Sequence, residues 1–136
     1  MIKKIFFYVF IISVLSACSQ QSVKEEDLIT LEEVQTAITD QGLVLEDADL
    51  PRINAFTREL NGVSPEAFFI DGDTLSIYVF PSTDARKEGM DDFEEKSAAA
   101  GVVEHEKYMR KNILVFYELG NEETNSKLKS AINGLE

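Results

Sequence analysis

Hydrophobic residues recur along this chain with two different periods, and the changes of period mark its elements. Leu31, Val34, Ala37 and Ile38 fall on one helical face. Thr30 and Glu33 form a T-x-x-E capping box, in which each side chain satisfies a free backbone N–H. Ile29 and Val34 stand where a hydrophobic staple would be, and Gly42 supplies a stop. The spacing predicts a helix over 31–41. Residues 43–45 read as a short strand and 46–51 as a loop. In 52–61, Ile53, Phe56 and Leu60 match helical spacing, while Ile53 and Ala55 also match a strand start; the pattern favours a short helix.

Two β-rich runs, 67–70 and 74–80, flank Asp71-Gly72, which predicts a hairpin. Pro81 ends the second run. Ser82 or Thr83 caps a helix that continues to about Ala100, with Gly101 as its stop. Ala85, Gly89, Phe93, Ser97 and Ala100 line one side of it. These residues are mostly small, so the helix can lie close on a sheet with Phe93 as anchor. Gly89 inside a helix costs about 1 kcal/mol against Ala, which close backbone approach would explain. Residues 102–109 predict a weaker strand, Arg110-Lys111 a turn, and 112–119 an almost wholly apolar, central strand. Asn121 caps a final helix with Glu122 and Glu123 in its first turn, where they suit the helix dipole. Its buried side is Leu128, Ala131, Ile132 and Leu135.

These elements predict an α+β domain of two layers. Its mainly antiparallel four-stranded sheet comes from two hairpin–helix units, with an N-terminal helix added. Alternation divides the strands. Leu75, Ile77 and Val79 face one way with Ile113, Val115 and Tyr117 opposed to Leu114 and Phe116; Tyr78 and Phe80 face the other way from Leu75. If helices cover one face only, Tyr78, Phe80, Leu114 and Phe116 form an open apolar patch for a partner. The alternative is that the 31–41 helix or the 52–61 segment covers them.

Charge narrows the classes. The chain has 136 residues, with 13 Lys or Arg against 25 Asp or Glu, a net charge of −12. Such a balance argues against nucleic acid, whose binders need a basic face to neutralise phosphates. One cysteine leaves no intramolecular disulfide, and one histidine leaves no His-pair zinc motif.

The beginning of the chain carries the most specific signal. Lys3 and Lys4 form a positive start, Ile5 to Leu15 is an apolar run, and Ser16 and Ala17 are small. These are the parts of a secretory signal peptide. A spanning helix needs about 20 apolar residues, and polar Ser19, Gln20, Gln21 and Ser22 follow too soon for that. Leu15-Ser16-Ala17-Cys18 resembles the lipobox of bacterial lipoproteins, and the chain resembles the small lipoproteins of Gram-positive bacteria. The resemblance implies a diacylglyceryl group on the Cys18 thiol and cleavage just before Cys18. It assigns no other functional residue. The expected organisation is therefore a signal peptide over 1–17, a lipidated polar tether over 18–27, and one domain over 28–136. The expected location is the outer, extracytoplasmic face of the cell membrane, reached through lipid on Cys18.

Candidate chemistry is thin. Asp71-Gly72-Asp73 lacks the spaced ligands and terminal glutamate of a calcium loop and reads as the hairpin turn. Glu104-His105-Glu106 sets the histidine between two carboxylates, but adjacent strand residues point to opposite faces. Asp91, Asp92, Glu94 and Glu95 cluster on a helix, with three of them away from the Phe93 stripe. No nucleophile elbow, phosphate loop or Gly-rich dinucleotide loop is present. The reading is a non-enzymatic binding or accessory module without cofactor or metal, with an envelope protein as partner. The alternatives are a small cell-envelope hydrolase and a weak cation-binding protein.

Overall fold

The computed structural model describes residues 27–136. The expected signal peptide, the expected lipidation site at Cys18 and nearly all of the expected tether lie outside the described residues.

The first helix, α1 (Leu31–Asp40), begins at the expected capping box: Thr30 accepts from the Glu33 N–H, and the Glu33 carboxylate accepts from the Thr30 N–H at 2.7 Å. Those hydrogen bonds hold the exposed Glu33 carboxyl below its usual range. The first strand, β1 (Glu46–Asp47), lies not at 43–45, where a short strand was expected, but in the first residues of the expected 46–51 loop. The hairpin comprises β2 (Glu66–Ile70) and β3 (Asp73–Val79), and α2 (Thr83–Ser97) follows. A second hairpin, β4 (His105–Arg110) and β5 (Ile113–Glu118), precedes α3 (Glu122–Asn133). Asn121 caps α3 by accepting from the Thr124 N–H.

All five strands are antiparallel to their neighbours, in the order β1-β2-β3-β5-β4. The sheet thus has five strands where four were expected. Asp71 and Gly72 both have positive φ, as a tight hairpin turn requires. Residues Ile113–Tyr117 are buried without interruption, because both faces of this strand are covered.

The expected two layers are three. One face carries Leu75, Ile77, Ile113, Val115 and Tyr117 under α1 and α3, whose Val34, Ile38, Leu128 and Ile132 complete an aliphatic core. The other carries Tyr78, Phe80, Leu114 and Phe116 under Met90 and Phe93 of α2 and Phe56 and Leu60 of the 48–65 loop. Alternation assigned the strand residues correctly to two faces. It could not show that successive helices would go to opposite ones.

That placement also separates the two hairpin–helix units. A two-fold axis normal to the sheet relates β3 to antiparallel β5 and would leave both helices on one face. Here α2 and α3 lie on opposite faces. The units therefore share an order of elements without sharing a fold.

Residues 52–61 form turns, not the expected short helix. Asn54 starts one such turn. Its side chain accepts from the Phe56 N–H at 2.8 Å, and its carbonyl accepts from the Thr57 and Arg58 N–H groups. These bonds make a single capped turn of helical type, which does not propagate into a helix. Phe56 and Leu60 are nevertheless buried, whereas Ile53 is 84% exposed. The α2 helix stops at Ser97, short of Ala100. Gly89 has the anticipated reason: a Cβ there would overlap the Phe80 ring.

Candidate functional site

The four aromatic and aliphatic residues expected to form a partner surface are core. Tyr78, Leu114 and Phe116 have no exposure and Phe80 has 1%. Phe116 sits at the middle of the cluster. It stacks on Phe93 with centroids 4.4 Å apart, lies 5.4 Å from Phe56, and takes the edge of Tyr78 at 6.0 Å. Each such ring removes about 150–250 Å² from water when buried, and the 48–65 loop supplies the cover. The open patch is therefore overturned, in favour of the alternative that the 52–61 segment covers it, together with α2.

Polar groups fasten that cover. The Tyr78 hydroxyl donates to the Arg58 carbonyl at 2.7 Å and to that of Phe56 at 3.2 Å. Burial raises its pKa well above the ordinary phenol value, against a small opposing pull from Arg58. The Asn61 N–H donates to Asp92 at 2.8 Å, and Lys96 donates to the same carboxylate oxygen at 2.8 Å. The Lys96 hydrogen bond is the main cause of a lowered Asp92 pKa, with the Asn61 N–H adding to it. Asp92 is thus an ionised tie between α2 and the loop, poorly suited to donate a proton at neutral pH.

The acidic and histidine motifs do not converge. Asp71 and Asp73 stand on the hairpin turn. Their charges and burial push the Tyr117 phenol up to about 12, burial being the larger cause. The His105 ring packs on Phe56 at 4.7 Å and near Phe93 and Phe116, and its Nδ1 lies 2.9 Å from the Val103 carbonyl. It closes the open side of the aromatic cluster. Among the described residues, no three His, Cys, Asp or Glu side chains come together as metal ligands. Ser76 Oγ is buried without a hydrogen-bond partner, and no base stands against it to activate it.

Shallow clefts lie elsewhere among the described residues. One, of about 180 Å³, runs beneath Asp49, Leu50 and Arg52 against Thr57, Pro65 and Glu66. Another, of about 100 Å³, lies between Glu104, His105 and Glu106 and the Leu119–Gly120 turn. Both are smaller than the clefts of roughly 300–1,000 Å³ that enclose small-molecule ligands.

Sequence reasoning missed Asn112, a buried residue that holds the start of the domain. Its Oδ1 accepts from the Ile29 N–H at 2.8 Å, and its Nδ2 donates to the Ile29 carbonyl at 2.9 Å and the Phe80 carbonyl at 3.0 Å. The only available signal was an asparagine directly before an apolar strand. The described chain is thereby pinned, at its entry, to the end of the sheet where β3 finishes and β5 begins. No helix among the described residues is long and apolar enough to cross a membrane. No family model matches the chain, and neither a curated protein nor a solved structure matches it.

Proposed function

We propose that the chain is a lipoprotein of the cell membrane. In this reading Cys18 carries the lipid, and residues 28–136 form a folded, extracytoplasmic binding or accessory module without enzymatic activity. The observation that carries the reading is the Leu15-Ser16-Ala17-Cys18 lipobox behind a positive start and a short apolar run. The domain is consistent with it: the first described residues follow a polar stretch of sequence and are clamped by Asn112. Two acyl chains on one residue give stable attachment where a single chain would be marginal. With the aromatic face closed, recognition falls to the exterior of the domain.

The test is Cys18→Ala in the full chain, expressed in a bacterial host and followed by fractionation. The wild type is expected in the membrane and in the detergent phase of a phase-partitioning assay. The variant is expected to remain unprocessed, with its apolar run still attached, and to take up no labelled fatty acid, whereas the wild type is labelled and cut to mature size. A variant of mature size that stays in the detergent phase would show that Cys18 is not the anchor.

A further inference from the structure

The two edges of the sheet are closed to different degrees. At one edge β1 has only two residues, Glu46 and Asp47, and so short an edge strand gives another chain little to pair with. At the other edge β4 runs for six residues, His105–Arg110, and among the described residues no strand lies beyond it. The Leu119 N–H donates to the Glu104 carbonyl at 3.1 Å. By alternation, the backbone groups of Glu106, Tyr108 and Arg110 point into the ladder with β5, and those of His105, Lys107 and Met109 point outward. Glu106, Lys107, Met109 and Arg110 are exposed.

Charged side chains on an edge usually keep strands apart, but on β4 their order makes the strand complementary to itself. Glu106, Tyr108 and Arg110 share the α3 face. There the Tyr108 hydroxyl donates to the Asn125 carbonyl at 3.1 Å, and Arg110 Nε to that of Leu135 at 2.9 Å. The ion pairs among the described residues are those of Lys87, Lys96 and Lys127. Glu106 and Arg110 thus lack a charged partner at contact distance, and Glu136, next to Leu135, does not supply one to Arg110.

If a second β4 lies antiparallel on the first about a two-fold axis, outward residues must meet outward residues, which leaves few registers. With Lys107 opposite Lys107, like charges meet at the axis. With Met109 opposite Met109, Lys107 falls opposite Lys111 twice. With His105 opposite Lys107, Glu106 meets Glu106. With Lys107 opposite Met109, Tyr108 meets Tyr108 at the axis and Glu106 falls opposite Arg110 on both sides of it. Opposite charges directly across a ladder stabilise it and like charges destabilise it, so this last register is selected.

We propose that two copies of the chain pair edge to edge through β4, with Glu106 of each against Arg110 of the other and the sheet continuous across both. The contact is isologous and closes on itself. Each Glu106–Arg110 pair is a non-hydrogen-bonded one, in which side chains stand closer, and the Lys107 stem covers the exposed Met109 of the other copy. The chain's net negative charge opposes association, but β4 itself sets one acidic residue, Glu106, against Lys107 and Arg110. The pairing does not depend on lipid at Cys18, so either proposal can fail without the other.

Two differently tagged full chains, Glu106→Cys and Arg110→Cys, are co-expressed, and the membrane and soluble fractions are both treated with copper phenanthroline. Opposed residues of this kind have Cα atoms about 4.5 Å apart, inside the roughly 4.4–6.8 Å that a disulfide spans. Two copies of position 106, or of 110, lie about 14 Å apart at roughly 3.4 Å per residue. The mixed disulfide is expected to exceed either chain's own dimer at least fivefold, and Lys107→Cys is expected to form none. Charge is tested separately. E106R or R110E alone places two like-charge pairs in its own dimer, whereas the two chains together restore two opposite-charge pairs. Tagged E106R is expected to recover R110E from detergent extracts at least threefold better than it recovers E106R. Equal recovery would overturn the charge pairing, and a Lys107→Cys dimer above the mixed one would overturn the register. No dimer above that of the wild type, which retains Cys18, would overturn the interface. A disulfide to a protein of another size would put that protein, not a second copy, on the edge.

Discussion

The two faces of the sheet are covered by different means. On one, two regular helices lay Val34, Ile38, Leu128 and Ile132 over aliphatic strand residues. On the other, one helix and an irregular loop enclose a cluster of rings: Phe56, Tyr78, Phe80, Phe93 and Phe116. Helical cover satisfies its own backbone, so its contribution is mainly the apolar stripe. Loop cover leaves backbone groups that something else must satisfy. Here Asn54, Thr57 and Tyr78 do so: the Thr57 hydroxyl donates to the Pro51 carbonyl at 2.8 Å, and the Tyr78 hydroxyl to those of Phe56 and Arg58. The aromatic face therefore depends on individual polar contacts in a way the aliphatic face does not.

The largest effect expected is from emptying the aromatic centre. Phe116→Ala is expected to cost about 3–5 kcal/mol, and Leu128→Ala on the other face about 2–5 kcal/mol. Denaturant unfolding gives both values. The discriminating measurement is hydrogen exchange: Phe116→Ala should release amides of the 48–65 loop before the rest, whereas Leu128→Ala should not. A loop that exchanges equally in both variants would remove the distinction between the faces.

A smaller change sharpens it. Tyr78→Phe keeps the ring and deletes one hydroxyl. It leaves the Phe56 and Arg58 carbonyls without that donor, a loss of about 1–3 kcal/mol for buried groups. Faster proteolysis within the loop, at unchanged far-ultraviolet circular dichroism, is the expected signature. Unaltered stability would mean that the rings alone hold the loop.

The smallest effect is electrostatic. Asp92 has a lowered pKa in the folded state, so its contribution to stability is present above its ordinary value near 3.8 and is lost as pH falls through the folded value. Its pair with Lys96 is partly exposed, with side-chain exposures of 24% and 41%, and solvent screening keeps such pairs at roughly 1 kcal/mol or less. Asp92→Asn should therefore lower stability at neutral pH by up to about 1 kcal/mol and flatten the acid limb of the stability–pH curve below about pH 4, where variant and wild type converge. An acid limb identical to that of the wild type would remove Asp92 as the tie.

Local pattern was informative wherever the chain satisfies itself. The capping box at Thr30 and Glu33, the Asp71-Gly72 turn, the Asn121 cap and the buried run 113–117 were all legible, because each rests on residues within a few positions of one another. The small-residue reading of Gly89 also stands, since the Phe80 ring occupies the space of a side chain. Residues 52–61 misled because Phe56 and Leu60 have helical spacing for a reason unrelated to a helix: both reach the same distant rings. The expected patch of Tyr78, Phe80, Leu114 and Phe116 failed from the same cause. Alternation reports that a strand has two apolar faces and says nothing about what lies over each.

By itself the sequence determined the α+β class, most element boundaries and the division of strand residues between two faces. Tertiary structure alone decided that α2 and α3 take opposite faces and that a loop closes the aromatic one. It also decided that Asn112 seats Ile29, 83 positions away. The physical reason is range. Caps, turns and periodicity are set by contacts across a few residues, whereas cover and closure arise when segments distant in sequence meet.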